Sequence, residues 1–151
     1  MKKLKFRKNS IVIIFNEAGE FLLQNRKLIS KSGEQYGLFG GGLEDGESEI
    51  SGLIRELKEE LGMEFEEEDF EFLFSKEFII PEENRHAIEN VFLLKQTKKI
   101  DDFTFPEGNI GEFFEFKTAI KNIMIGRSKL DKLDKILEET YKYYLENYDK
   151  I

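Results

Sequence analysis

A chain of 151 residues with 40% hydrophobic content, including 15 Phe and 5 Tyr, can bury a sizeable core and is too apolar for a disordered segment. It has no cysteine, which excludes disulfides, thiolate metal sites and a cysteine nucleophile. A formal net charge of −8 argues against a nucleic-acid polymer as the main partner, although an acidic protein still binds a polyphosphate when metal ions screen the contact.

Residues 1–9 are basic (Lys2, Lys3, Lys5, Arg7, Lys8) and read as a solvated lead-in, with a phosphate-contacting arm as the alternative. Residues 10–15 read as a buried strand. Their apolar run is far too short for a membrane span or a signal segment, so a cytoplasmic protein without a membrane partner is expected. Residues 16–19 supply turn formers, and 20–24 read as the antiparallel return. A polar loop follows over 25–35. Arg26, at the end of the second strand, reads either as a phosphate contact or as an ordinary surface arginine. Residues 36–39 read as a short strand or an extended lead-in to three glycines.

Residues 40–63, GGGLEDGESEISGLIRELKEELGM, read as a glycine loop feeding an amphipathic helix. Ile50, Leu53, Ile54, Leu57 and Leu61 fall on one stripe at helical spacing. Ser48 suits the N-cap, and Gly62 suits the left-handed residue that ends the helix. On the other side Glu56, Glu59 and Glu60 stand at i, i+3 and i+4, so three carboxylates share one turn. Two readings are open for that face: a solvated acidic stripe, or hard oxygen ligands for a divalent cation, which the neighbouring glycine backbone could join.

Residues 64–69 are an acidic connection. Two strands over 70–80 and 86–96 form a hairpin about the turn at 81–84. His86 is the only histidine and has no partner for a catalytic constellation, so it reads as a half-exposed strand residue. A charged loop over 98–105 leads to PEGNIGEF at 106–113 and an aromatic strand at 113–116. A short helix is expected over 118–125, broken by Gly126. Ser128 and Asp131 read as a capping box for a last helix reaching about Asn147. Leu130, Leu133, Leu137, Tyr141, Tyr144 and Tyr148 give it an apolar stripe, for intramolecular packing or a homodimer seam. With no repeat, low-complexity segment or linker, one domain over 1–151 is expected. Strands interleaved with helices predict an α/β fold with a mixed sheet covered on both faces.

The glycine and helix stretch resembles the Nudix box, G-x5-E-x7-R-E-U-x-E-E-x-G-U with U a bulky aliphatic residue, and matches every fixed position. A chance match to so many positions is on the order of 10⁻⁸ per window. The resemblance implies a single Nudix hydrolase domain, an α/β/α sandwich with a mixed β-sheet and the box helix beside it. It also implies hydrolysis of a nucleoside diphosphate linked to another moiety, with Mg²⁺ or Mn²⁺ as cofactor and a nucleotide-type small molecule as substrate. Matched by motif position, Glu56, Glu59 and Glu60 are metal ligands together with the Gly40 carbonyl, and Glu56 is alternatively the base. Arg55 pairs with Glu47 as structural support. The family's Trp-x-x-Pro-Gly-Gly entry is altered here: Tyr36 takes the Trp place and Phe39 the Pro place. Tyr36 joins Arg26 as a candidate substrate contact. PEGNIGEF is similar to a loop of MutT-like members that supplies a further carboxylate, making Glu107 a candidate ligand and base, with Glu112 in competition. A compact chain without a large insertion resembles members that cleave a (d)NTP to NMP and diphosphate. Hydrolysis of ADP-ribose or a nucleotide sugar is the alternative, and a non-catalytic nucleotide-binding Nudix domain is the rival from another class.

Overall fold

The computed structural model describes residues 4–30 and 33–148, and of Glu107 the backbone alone. Lys2 and Lys3 of the basic lead-in lie outside the described residues.

The apolar run at 11–15 serves two cores. Ile11, Ile13 and Phe15 enter one buried cluster, Val12 and Ile14 the other. A strand buried on both faces needs cover on both, and helices supply it. This strand, β1 (Lys5–Ile13), lies inside a four-stranded sheet with β4 (Phe39–Gly42), β5 (Phe70–Ile80) and β6 (Arg85–Leu94), in the order β4-β1-β6-β5. β1 and β6 run parallel and the other neighbours antiparallel, so the sheet is mixed. A smaller antiparallel sheet has the order β3-β2-β7, from β2 (Phe21–Asn25), β3 (Tyr36–Gly37) and β7 (Gly111–Phe114). Helix α1 (Glu49–Leu61) covers the Val12 side through Leu53, Leu57 and Leu61. On the Ile13 side, α2 (Phe116–Met124) contributes Ala119 and Ile123, and α3 (Leu133–Asn147) contributes Leu133, Ile136 and Leu137. The fold is the expected α/β sandwich with the box helix beside a mixed sheet.

Local chemistry sets the ends of α1. The Ser48 hydroxyl accepts the Ser51 N–H at 3.2 Å, and Gly62 closes the helix at φ 70 while its N–H donates to the Lys58 carbonyl at 3.1 Å.

Several expected elements are corrected. Residues 5–9 are the first half of β1, not a lead-in, because β6 offers them a parallel partner from Lys5↔Arg85 to Asn9↔Glu89. The expected return strand meets its hairpin partner only at the Phe15↔Phe21 bridge; beyond it β2 pairs with β3 and β7. The glycines at 40–42 are strand, not loop, in register with residues 9–11 of β1. The aromatic strand ends at Phe114, and Glu115 caps α2 by accepting the Thr118 N–H at 2.9 Å. The last helix begins at Leu133 rather than after Ser128. Ser128 and Asp131 form a turn instead, and the Asp131 carboxylate accepts the Leu133 N–H at 3.0 Å. The stripe on α3 packs inward through Leu133 and Leu137, with Tyr141, Tyr144 and Tyr148 against the same cluster, whereas Leu130 is exposed.

Candidate active site

β4 is an edge strand, and glycine lets it lie close to β1. Gly40 has φ 134, and a Cβ there would strike the Ser10 carbonyl and come within 2.8 Å of the Ile11 Cα. On its free edge the Gly40 N–H donates to Glu60 Oε1 at 2.8 Å. A Cβ on Gly41 would stand 2.6 Å from Glu56 Cδ, so the Glu56 carboxyl lies directly against that glycine. Two of the three box carboxylates, one helical turn apart, therefore meet the glycine strand, while the Glu59 side chain is more than half exposed.

Arg55 braces the loop between β4 and α1. Its Nε and NH2 donate to Glu47 at 2.7 and 2.9 Å, and NH2 also reaches the Gly42 carbonyl at 3.2 Å. Glu47 in turn accepts the Glu44 N–H at 2.9 Å. The Arg55 guanidinium holds Glu47 down to about 2, with the Glu44 amide assisting. On its other side Arg55 NH1 lies 3.1 Å from Glu56 and 3.7 Å from Glu59.

Burial pushes the Glu60 carboxyl up to about 7; the Gly40 amide opposes this and the nearby Glu56 charge adds to it. Burial raises Glu56 as well. Burial sets these two carboxyls apart from a solvated acidic stripe, and their hard oxygens suit a divalent cation such as Mg²⁺. As they stand, no three acidic or histidine side chains among the described residues converge closely enough to hold an ion, since Glu56 and Glu59 face Arg55. Behind Glu60 lies a polar chain. Gln24 Nε2 donates to Glu60 at 3.2 Å and to Asn109 at 2.9 Å, and Gln24 Oε1 accepts from Arg26 NH1 at 2.9 Å.

Arg26 thus reaches the site through Gln24, with its Nε 3.2 Å from Glu34. Tyr36 is 6% exposed, its ring edge-on to Phe114 inside the core and its carbonyl accepting from Arg127 at 2.7 Å. The Glu107 backbone sits in the 3-10 turn Pro106–Gly108, and its carboxylate lies outside the described residues. That turn is next to the C-terminal end of α1, where the Thr104 N–H donates to the Leu61 carbonyl at 3.2 Å. Glu112 accepts from Asn25 at 3.0 Å. His86, half-buried on the hairpin at the cleft, pairs with Glu77 at 2.7 Å.

On the other face of the glycine strand opens a cleft of about 720 Å³. Residues 40–42 form part of its wall, with Arg26, Asn9, Glu89, Arg127 and Asp131 around it and Lys5, Arg7 and Arg85 towards one end. The box carboxylates do not line it; the glycine strand separates and connects the two. Asn9, Gln24, Glu89 and Arg127 had no motif to mark them, and Asp131 was marked only as part of a helix cap. The signals available were a glutamine and a glutamate set into apolar strand runs, FLLQN and HAIENVFLL.

A family model described as the NUDIX domain matches residues 5–113. No curated protein matches the sequence. Among solved structures, a MutT protein from Methanosarcina mazei has a TM-score of 0.69 at 21% identity, covering 98% of this chain and 99% of its own. The E. coli ORF135 protein has a TM-score of 0.65 at 19% identity, covering 97% and 96%. An Ap4A hydrolase from C. elegans gives 0.62 at 19% identity, covering 93% and 99%. At these identities the likeness is one of fold.

Proposed function

Because the chain belongs to the Nudix family, we propose that it is a metal-dependent pyrophosphohydrolase cleaving a nucleoside diphosphate linked to another moiety, with (d)NTP to NMP plus diphosphate as the reaction it favours. One observation carries this reading: Glu56 and Glu60 sit one turn apart against a glycine strand whose other face opens on a cleft large enough for a nucleotide.

Glu56, Glu59 and Glu60, with the Gly40 carbonyl, are the proposed ligands for Mg²⁺ or Mn²⁺. When bound, such an ion neutralises phosphate oxygens and lowers the pKa of a water. Glu60 is held for this by Gly40 and Gln24. Arg55 keeps the loop in place through Glu47 and reaches Glu56 and Glu59 with its remaining nitrogen. Arg26, on the cleft wall, is the proposed phosphate contact. Tyr36 supports the cleft through its carbonyl contact to Arg127. Glu107 is the proposed further carboxylate that takes the proton of the attacking water; Asn109 anchors its loop to Gln24. The whole of 1–151 is proposed as one catalytic domain working in the cytoplasm, as monomer or homodimer.

The test is a screen of purified protein with Mg²⁺ against (d)NTPs, oxidised dGTP, ADP-ribose, nucleotide sugars and dinucleoside polyphosphates. Formation of NMP and diphosphate from a triphosphate supports the reading. Nucleotide binding without turnover of any substrate refutes it in favour of a binding module. Within the same assay Glu107→Gln is expected to lower kcat at least about tenfold, and Glu112→Gln to leave it near wild type.

A further inference from the structure

Glu89 has no role in the reaction described above, and its surroundings are unusual. It sits inside β6, only 6% exposed, and lines the cleft. Its Oε1 accepts from Asn9 Nδ2 at 2.8 Å, while its Oε2 is buried without any hydrogen-bond partner. A buried polar atom left unpaired costs stability, and such atoms persist where a ligand completes them.

The place of Glu89 is set by strand register. Gly42 of β4 stands opposite Asn9 of β1, and Asn9 opposite Glu89 of β6, so the three form one row across the sheet. Two strand spacings separate Gly42 from Glu89, roughly 10 Å. A nucleotide whose phosphates lie at the glycine strand would have its sugar in between and its base near Glu89.

The charged groups facing Glu89 are Arg85 on its own strand and Arg127 and Asp131 from the connection between α2 and α3. Arg127 is already engaged by the carbonyls of Ile123 and Tyr36 and by Asp131. Burial pushes Glu89 up to about 7, with the Asn9 bond and the two arginines opposing and Asp131 adding to it. In its neutral form a carboxyl offers an O–H donor beside a carbonyl acceptor. That pair complements the edge of a heterocyclic base, where a ring nitrogen adjoins an exocyclic oxygen or amino group.

We propose that Glu89 reads the base of the substrate, held in orientation by Asn9 and pairing its carboxyl with adjacent donor and acceptor atoms on the base edge. This rests on the hydrolase acting on a nucleotide, and removing the partner of a site built for hydrogen bonding discriminates strongly.

The experiment compares binding of AMP, GMP, CMP and UMP with that of base-free ribose 5-phosphate, by calorimetry, to wild type, Glu89→Gln and Glu89→Leu. At least one nucleotide is expected to bind about tenfold or more tighter than ribose 5-phosphate, the worth of a buried hydrogen bond. Glu89→Leu should erase that margin and leave ribose 5-phosphate unchanged. Glu89→Gln, which keeps a donor and an acceptor, should retain it within about threefold. Between pH 6 and 9 the margin should shrink for wild type and hold for Glu89→Gln; the sugar phosphate cancels the titration of the phosphate itself. An absent margin in wild type, an undiminished one in Glu89→Leu, or equal pH dependence in wild type and Glu89→Gln overturns the proposal, and the last comparison decides it even if Glu89→Leu does not fold. Failure of this test with triphosphate hydrolysis intact leaves the hydrolase reading standing, whereas a base margin without hydrolysis removes that reading and keeps this one.

Discussion

At the scale of single residues, Arg55 and Glu89 solve opposite problems. Arg55 has its donors spread over Glu47, Glu56 and the Gly42 carbonyl, so its loss frees a loop and leaves several acceptors unpaired. Arg55→Ala is expected to lower the melting temperature and to cut turnover about 10–100-fold, as loss of a supporting contact to a metal site does. An unchanged melting temperature with lost activity would mean that Arg55 touches substrate instead. Glu89 is under-satisfied, and its carboxyl is raised from 4.5 to about 7. An acid raised on folding binds more protons in the native than in the unfolded state. Its stability contribution is therefore complete below pH 4.5 and lost as pH rises towards 7. Glu89→Gln should match wild type near pH 4 and exceed its unfolding free energy by on the order of 3 kcal/mol at pH 8. Denaturation curves at the two pH values measure this; parallel curves for the two proteins would mean that Glu89 is not raised.

At the scale of elements, the site depends on α1 meeting β4, and two adjacent glycines separate stability from function. A Cβ on Gly40 meets backbone of β1, which cannot yield, and its φ of 134 is unfavourable for alanine. A Cβ on Gly41 meets only the end of the Glu56 side chain, which can swing away. Gly40→Ala is expected to cost several kcal/mol in thermal or chemical unfolding, in the range of backbone strain plus overpacking. Gly41→Ala should fold close to wild type and lose most of its activity. Equal melting temperatures for the two variants would contradict this view of β4. The same contrast explains what was legible in the sequence. The ends of α1 were, because Ser48 and Gly62 act within one turn of their own positions. So was the hairpin of β5 and β6, whose turn at 81–84 closes on Asn84 at φ 55. The glycine strand was not, since glycine disfavours strands locally and only the nearness of the Ser10 carbonyl makes it necessary there. Nor was the departure of β2 from its hairpin, decided by β7, which lies far along the chain. Glu56, Glu59 and Glu60 were legible as a group from their spacing. The isolation of Glu89 emerges only when Asn9, Arg127 and Asp131 are brought around it from distant segments.

At the scale of the whole molecule, the sandwich places a carboxylate helix and a cleft on opposite faces of one glycine strand. The two faces are joined by the backbone at residues 40–42 and by the chain from Glu60 through Gln24 to Arg26. The central claim is that the box carboxylates work through a divalent cation on a phosphoric anhydride. The most direct test is the rate of NMP and diphosphate formation with Mg²⁺ and with EDTA, for wild type, Glu59→Gln and Glu60→Gln. The expected result is loss of turnover in EDTA and a fall of about 100-fold or more in each variant, with melting temperatures near wild type. Full activity in EDTA, or in both variants, would contradict the account.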